Sequence, residues 1–395
     1  MKRSPIVYFL FLFSGITALI YEVVWARMLT LVFGHTVFSV SIVLASFMAG
    51  LGFGSYFFGH AINNIGSKKI HPDSSNFSRE SSEGLVTSLP LLLYGWIEIV
   101  LFLLCLVVSL ILFKFSIIYS WLGFFIPESI VIQNIFKSFL AFILMFLPAS
   151  LMGATLPIIS KYYITDNIRL DSRLGLLYGI NTFGAALGCL LTGFFLIANF
   201  GVLQTVLVAT LINLFVGVCA IRIYQEGEET SHSFRLPHFT IPKISLKEDQ
   251  WLWVAVSFVC GFTALSYEVL WTRLLVFSTS STVYSFSMML GVFLIGIALG
   301  SFLVIAVFRS SLNLRTVLIF LQVSIGFYVI GSLYNIEQLL SVPWNGYNLQ
   351  KPAFVFWRYF LDSSALMLLP TIALGMSFPI LIKIISDGHE NIGKG

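Results

Sequence analysis

The chain has 395 residues, 58% of them hydrophobic, 16% aromatic and only 10% charged, with 39 Phe and a mean hydropathy of +0.94. That composition excludes a water-soluble domain and points to a membrane protein. The net charge of +4 comes mainly from loop residues that set membrane topology, so it does not point to nucleic acid as a partner.

Crossing about 30 Å of hydrocarbon takes roughly 20 apolar residues. Segments of that kind are read at 5–32, 37–59, 89–113, 130–163, 174–199, 202–222, 251–278, 282–308, 313–335 and 354–385. They are predicted to be helices, because lipid offers no partner to open backbone groups and the continuous Leu/Ile/Phe/Val runs lack the alternation of a membrane barrel. The fold class expected is therefore all-α and polytopic, with about ten transmembrane helices.

The first segment follows Lys2 and Arg3 and has the outline of a signal peptide. Its motif argues otherwise. Gly15-Ile-Thr-Ala-Leu-Ile-Tyr21-Glu22-Val-Val-Trp25-Ala-Arg27 returns 246 positions later as Gly261-Phe-Thr-Ala-Leu-Ser-Tyr267-Glu268-Val-Leu-Trp271-Thr-Arg273. No signal peptide occurs at the second position, so the first copy is a retained structural helix. The second segment carries Gly50-Leu-Gly-Phe-Gly-Ser55, matched by Gly296-Ile-Ala-Leu-Gly-Ser301, and is read as a small-residue surface for close helix packing. Residues 60–88 read as a Ser-rich loop.

The third segment holds Glu98, with a possible counterpart in Gln322 of the ninth at an offset near 224. One half would then carry a carboxylate where the other has a neutral amide. In the fourth segment, Leu-Pro148-x-x-x-x-Gly-x-x-x-Pro157-x-x-x-Lys161 matches Leu-Pro370-x-x-x-x-Gly-x-x-x-Pro379-x-x-x-Lys383 of the tenth, at an offset of 222. Each proline removes a backbone hydrogen bond, so Pro148, Pro157, Pro370 and Pro379 are expected to kink or interrupt their helices. Broken helices at matching positions of two halves point to a transport site.

Three domains of sequence follow: residues 1–222 as a first repeat of six helices, 223–250 as a polar linker, and 251–395 as a second repeat. Six helices in the first half return the chain to its starting side, so the repeats are expected to be parallel, as in facilitator-type transporters. The second repeat reads as an incomplete four. The offset of 222 carries Arg173 onto Gly395, and the chain is expected to be a fragment lacking two further helices. Sixteen of the 22 Lys and Arg fall on one side of this topology and four on the other, with Arg27 and Arg273 inside the repeated motif. The positive-inside bias predicts a cytoplasmic N-terminus in a plasma membrane, such as a bacterial inner membrane.

An intramembrane Glu or Arg costs on the order of 3 kcal/mol on insertion scales, so Glu22, Arg27, Glu268 and Arg273 are expected to pair or to line a cavity. Glu22 and Arg27 stand five residues apart, about 140° around a helix, and are poorly placed to pair with each other. The expected pairs cross the repeats: Glu22 with Arg273 and Glu268 with Arg27. Latching of the halves and contact with a substrate or proton both fit these charges. Tyr21, Trp25, Tyr267 and Trp271 beside the acids fit a desolvated ammonium site, and they equally fit interfacial anchors. Cys105, Cys189, Cys219 and Cys260 lie in apolar segments without metal or redox spacing and are read as packing residues. Nothing in the sequence calls for a metal or cofactor.

The doubled Tyr-Glu-x-x-Trp-x-Arg motif, the small-residue runs, the paired proline segments and Tyr178-x-x-Asn181-Thr182-x-Gly184 together resemble the membrane region of the fused major-facilitator/spermidine-synthase family. The resemblance covers nearly the whole chain. It implies a facilitator-like bundle and, in an intact protein, a cytosolic aminopropyltransferase domain after the helices. These 395 residues contain no βα unit with a Gly-rich loop that could be such a domain. The function expected is binding or translocation of a small solute, such as a polyamine-like cation, in the lipid bilayer. Two other readings stand beside it: a membrane anchor or substrate-delivery part of an aminopropyltransferase, and a structural membrane scaffold.

Overall fold

A computed structural model describes residues 4–34, 36–65, 76–122, 129–163, 170–225, 248–279, 282–334 and 352–390. The polar linker between the halves lies largely outside the described residues. Among those described there is no strand, and ten helices are long and apolar enough to cross a membrane. The chain is an all-α polytopic membrane protein.

The helices are α1 (Ser4–Phe33), α2 (Thr36–Ile65), α3 (Asn76–Phe113), the short α4 (Phe115–Leu122), α5 (Ile130–Tyr163) and α6 (Leu170–Leu191). A π-helical turn (Thr192–Leu196) joins α6 to α7 (Ile197–Phe200), and α8 (Val202–Gln225), α9 (Glu248–Thr279), α10 (Thr282–Arg309), α11 (Leu314–Tyr334) and α12 (Pro352–Glu390) follow. Helix α3 starts earlier than expected. Part of the stretch read as a Ser-rich loop, from Asn76 onward, is helical, and the helix continues through Pro90 into the apolar run.

The chain forms two compact units, Met1–Leu177 with Phe200–Lys243, and Tyr178–Asn199 with Ile244–Gly395. In unit 1, α1 and α3 run parallel. Tyr94 donates its hydroxyl to the Leu10 carbonyl (3.3 Å), Ser14 to the Glu98 carboxylate (2.5 Å), and the Trp25 indole N–H to Ser109 Oγ (2.8 Å), always 84 residues apart. Helix α8 runs antiparallel to α3, with Gly95 against Ile221 and Gly217 against Ile99. The core at this end gathers Phe11, Leu91, Tyr94, Ile158, Leu177 and Val216.

Helix α2 meets α5 through glycine. A Cβ on Gly54 would strike the Ser150 carbonyl, and one on Gly153 the Leu51 carbonyl, so only hydrogen at these positions allows the backbones so close. Unit 2 repeats the crossing: a Cβ on Gly300 would meet the Ile372 carbonyl, and one on Gly375 the Ile297 carbonyl, between α10 and α12. Gly54 and Gly300 are 246 apart, and Gly153 and Gly375 are 222 apart, the two offsets of the duplication.

The prolines do not break their helices. Both α5 and α12 run unbroken through their pairs, Pro148 and Pro157, and Pro370 and Pro379. A proline leaves the carbonyl four residues earlier without its helical donor. For Pro157 that carbonyl is Gly153, and it accepts the Ser55 hydroxyl of α2 at 2.8 Å. For Pro379 it is Gly375, and it accepts the Ser301 hydroxyl of α10 at 3.4 Å. The orphaned acceptor is met by the neighbouring helix, so no interruption is needed.

Sequence repeat and packing unit differ at one helix. Most of α6 belongs to unit 2, where it runs antiparallel to α10 with Gly179 against Phe302, Leu190 against Gly291 and Gly193 against Ser287.

Candidate functional site

Each unit places a glutamate in its interior. Glu22 is 2% exposed and Glu268 is 1% exposed. The motif that carries them is built the same way twice. Tyr21 stacks on Trp25 with ring centres 5.5 Å apart and 27° between planes, and Tyr267 stacks on Trp271 at 5.3 Å and 24°. The four-residue spacing puts each Tyr over its Trp on one helical face, while the glutamate next to the Tyr turns about 100° away. A third ring completes each group. Phe47 of α2 lies 5.6 Å from Trp25, and Phe293 of α10 lies 6.4 Å from Trp271.

Phe47 and Phe293 were not among the sequence candidates, although they too are 246 residues apart. The offset was the available signal. In a chain with 39 Phe, however, only a known contact to Trp singles these two out.

The anchor reading of the tryptophans does not hold. Trp25 is fully buried and Trp271 is 2% exposed, so neither faces a membrane interface. Trp25 is held by its bond to Ser109, which ties α1 to α3 inside unit 1.

Arg27 is half-buried and Arg273 is exposed, while the glutamates five residues earlier are interior. Glu22 and Arg27 do not pair, as their spacing requires; among the described residues the ion pair within one helix is Arg358–Asp362. Glu22 Oε1 is buried with no hydrogen-bond partner. The expected cross pairs, Glu22 with Arg273 and Glu268 with Arg27, would join residues of different units.

Glu98 and Gln322 have different surroundings. Glu98 is fully buried, one carboxylate oxygen accepts the Ser14 hydroxyl of α1, and the other has no hydrogen-bond partner. Gln322 donates from its amide to Ser377 Oγ of α12 at 3.0 Å. The carboxylate faces the motif helix, whereas the amide faces the proline helix. Glu98 also lies within electrostatic reach of Tyr21, Tyr94 and Cys105, so unit 1 holds a second acidic group beside its motif. No disulfide joins the four cysteines, and the Cys189 thiol donates to the Ser287 carbonyl at 3.3 Å.

Chemically, each unit combines a buried carboxylate with a group of three aromatic rings. Comparison with protein-family models, curated proteins and solved structures finds no match to this chain.

Proposed function

We propose that the protein binds a small organic cation, of the polyamine type, and carries it across the membrane. The observation that carries this reading is the twin group Glu22/Tyr21/Trp25/Phe47 and Glu268/Tyr267/Trp271/Phe293. The Glu22 carboxylate, buried with one oxygen that has no hydrogen-bond partner, is costly, and one that only filled space would be better replaced by an apolar residue. An ammonium group supplies the missing charge, and the rings stabilise its desolvated face. Glu22 and Glu268 act as counter-charges, Tyr21, Trp25, Tyr267 and Trp271 as the cation-binding walls, and Glu98 as the additional acid of one unit.

The resemblance to the fused facilitator/spermidine-synthase family suggests the same ligand class. It adds a second reading, delivery of amines to an aminopropyltransferase.

Glu22→Gln and Glu268→Gln separate a binding site from a mere latch. Spermidine binding to the full chain in nanodiscs is expected to weaken by about 2–5 kcal/mol in each variant, since truncating one partner of a buried charge pair costs that much. Thermal stability should change less than affinity. Binding equal to that of the parent, with stability lowered by a similar amount, would identify the glutamates as structural latches.

A further inference from the structure

At one end of unit 2 the ends of four membrane spans meet. Trp253 is the third residue of the first, Arg309 the last of the second, Arg315 the second of the third, and Lys383 the third from the end of the fourth. Two of these cations lie over rings. The Arg315 guanidinium is 5.5 Å from the centre of the Trp253 ring, and Lys383 Nζ is 4.5 Å from that of Phe308. Both rings pack against one apolar cluster that includes Leu318, Leu321, Ile380 and Leu381, so the two pairs flank the same spot. The turn carrying Arg315 is fixed by its backbone N–H, which bonds Asn313 Oδ1 at 3.0 Å. Among the described residues no carboxylate lies within ion-pair distance of Arg315. In the first turn of α11 an arginine meets the positive end of the helix dipole, so the helix itself gains nothing from that charge. Arg315 is exposed, and with one flat face on Trp253 its forked edge is left for another group.

Toward the membrane interior from Arg315, the side of α11 that faces α9 is open. Ile319, Gln322 and Gly326 follow Arg315 at steps of four, three and four, on one helical face. Ile319 is 64% exposed, and a Cβ on Gly326 would meet nothing within 4 Å. Helices α9 and α11 each pack on α12, which floors the groove between them. The first repeat treats the same place differently. Its counterpart of Ile319 is Gly95, where a Cβ would strike Ile221 of the covering helix α8; Leu91 stands for Arg315 and Val7 for Trp253. The branched side chain at 319 blocks a backbone approach of that kind, so the groove in unit 2 suits something thinner and more adaptable than a helix.

We propose that the groove between α9 and α11 binds one anionic phospholipid, with its phosphodiester on Arg315 and its acyl chains along Ile319 and Gly326. Trp253 positions the guanidinium, whose fork offers two donors to phosphate oxygens. Lys383 and Arg309 add positive potential at headgroup level. A zwitterionic lipid has the same phosphodiester but brings its own ammonium, which these cations repel. Cations that only set topology need neither a ring beneath them nor an open apolar side next to them. The site uses none of the residues of the amine reading and stands whether or not that reading does.

Native mass spectrometry of the full chain, purified in detergent and titrated with phosphatidylglycerol or phosphatidylcholine, tests it. The first phosphatidylglycerol is expected to bind at least about fivefold more tightly than phosphatidylcholine. Arg315→Gln should weaken it about fivefold and abolish the preference. Arg315→Lys keeps the charge without the stacked fork and should weaken it only about twofold. Ile319→Trp fills the groove with every cation in place and should also weaken the lipid, while Arg222→Gln, at an exposed span end of unit 1, should leave its Kd unchanged. Thermal unfolding checks that each variant is folded. Equal affinity for the two lipids, parent-like binding by Arg315→Gln or Ile319→Trp, or an equal loss in Arg222→Gln overturns the site. Competition by glycerol 3-phosphate at the concentration of the lipid would mark a soluble-anion site, and a dimer in place of the one-lipid adduct would mark an interface between copies; either result overturns the lipid assignment.

Discussion

The residue that best separates packing from function is Trp25. Its indole N–H bonds Ser109 at 2.8 Å, whereas position 333, 224 residues after Ser109, holds a leucine. Trp271 therefore keeps the ring stack without that bond. Trp25→Phe is expected to lower the stability of the detergent-purified chain by about 1 kcal/mol, the net worth of one buried hydrogen bond, in addition to the change in ring size. Trp271→Phe, which changes ring size alone, gives the reference, and thermal unfolding of the two variants side by side checks the difference. Equal losses would mean that the Ser109 bond contributes nothing. At this scale the sequence was informative about which residues are special and poor about their surroundings. Tyr21, Glu22, Trp25 and their copies stood out through repetition, but burial of the tryptophans did not, because an aromatic near a helix end reads alike as anchor or core. The partners of Glu98 and Gln322 were illegible for a similar reason. Equivalent positions on homologous helices turn to different neighbours once Ser14 is replaced by Cys260 and Thr155 by Ser377.

Among the elements, the α2–α5 and α10–α12 crossings show how the chain accommodates proline inside lipid. The reading of Pro148, Pro157, Pro370 and Pro379 as helix breaks considered only the bond that a proline removes. The donor came from the next helix, at Ser55 and Ser301, and a pattern within one segment cannot reveal it. Both serines nevertheless close the small-residue runs of their helices. The two arrangements differ in quality: Ser55 reaches Gly153 at 2.8 Å, while Ser301 shares its hydroxyl between Ile297 of its own helix (2.8 Å) and Gly375 (3.4 Å). Ser55→Ala is expected to cost about 1 kcal/mol and Ser301→Ala less. Pro157→Ala restores the native helical donor to Gly153, so adding Ser55→Ala to it should cost little. A double-mutant cycle measured by thermal unfolding should give a coupling of roughly 0.5–1 kcal/mol, the range for residues in direct contact. Additive losses would show that Ser55 does not serve the proline-freed carbonyl.

For the whole molecule, hydropathy alone located all ten spans to within a few residues, because an apolar run of sufficient length has one stable form in lipid. The packing units were less legible. A repeat records ancestry, and contacts are made by surfaces: Gly179 and Gly193 commit most of α6 to α10 of unit 2, although its sequence belongs to the first repeat. The same distinction explains the uneven burial of equivalent helices. In unit 1 α8 covers α1 and α3, and the most apolar stretch of α1 is 56% buried; the corresponding stretch of α9 is 6% buried, with no helix in the place of α8 among the described residues of unit 2. Glu268 is interior despite that open surface, so its burial comes from α10 and α12 and does not depend on an α8-like cover. The central claim, that the two buried glutamates are the counter-charges of a transported amine, is tested most directly by uptake of labelled spermidine into proteoliposomes containing the full chain. The account expects saturable uptake by the parent chain, abolished in Glu22→Gln and in Glu268→Gln although both variants insert and remain folded. Uptake by either variant at the parent rate, or none by a folded parent chain, would contradict it.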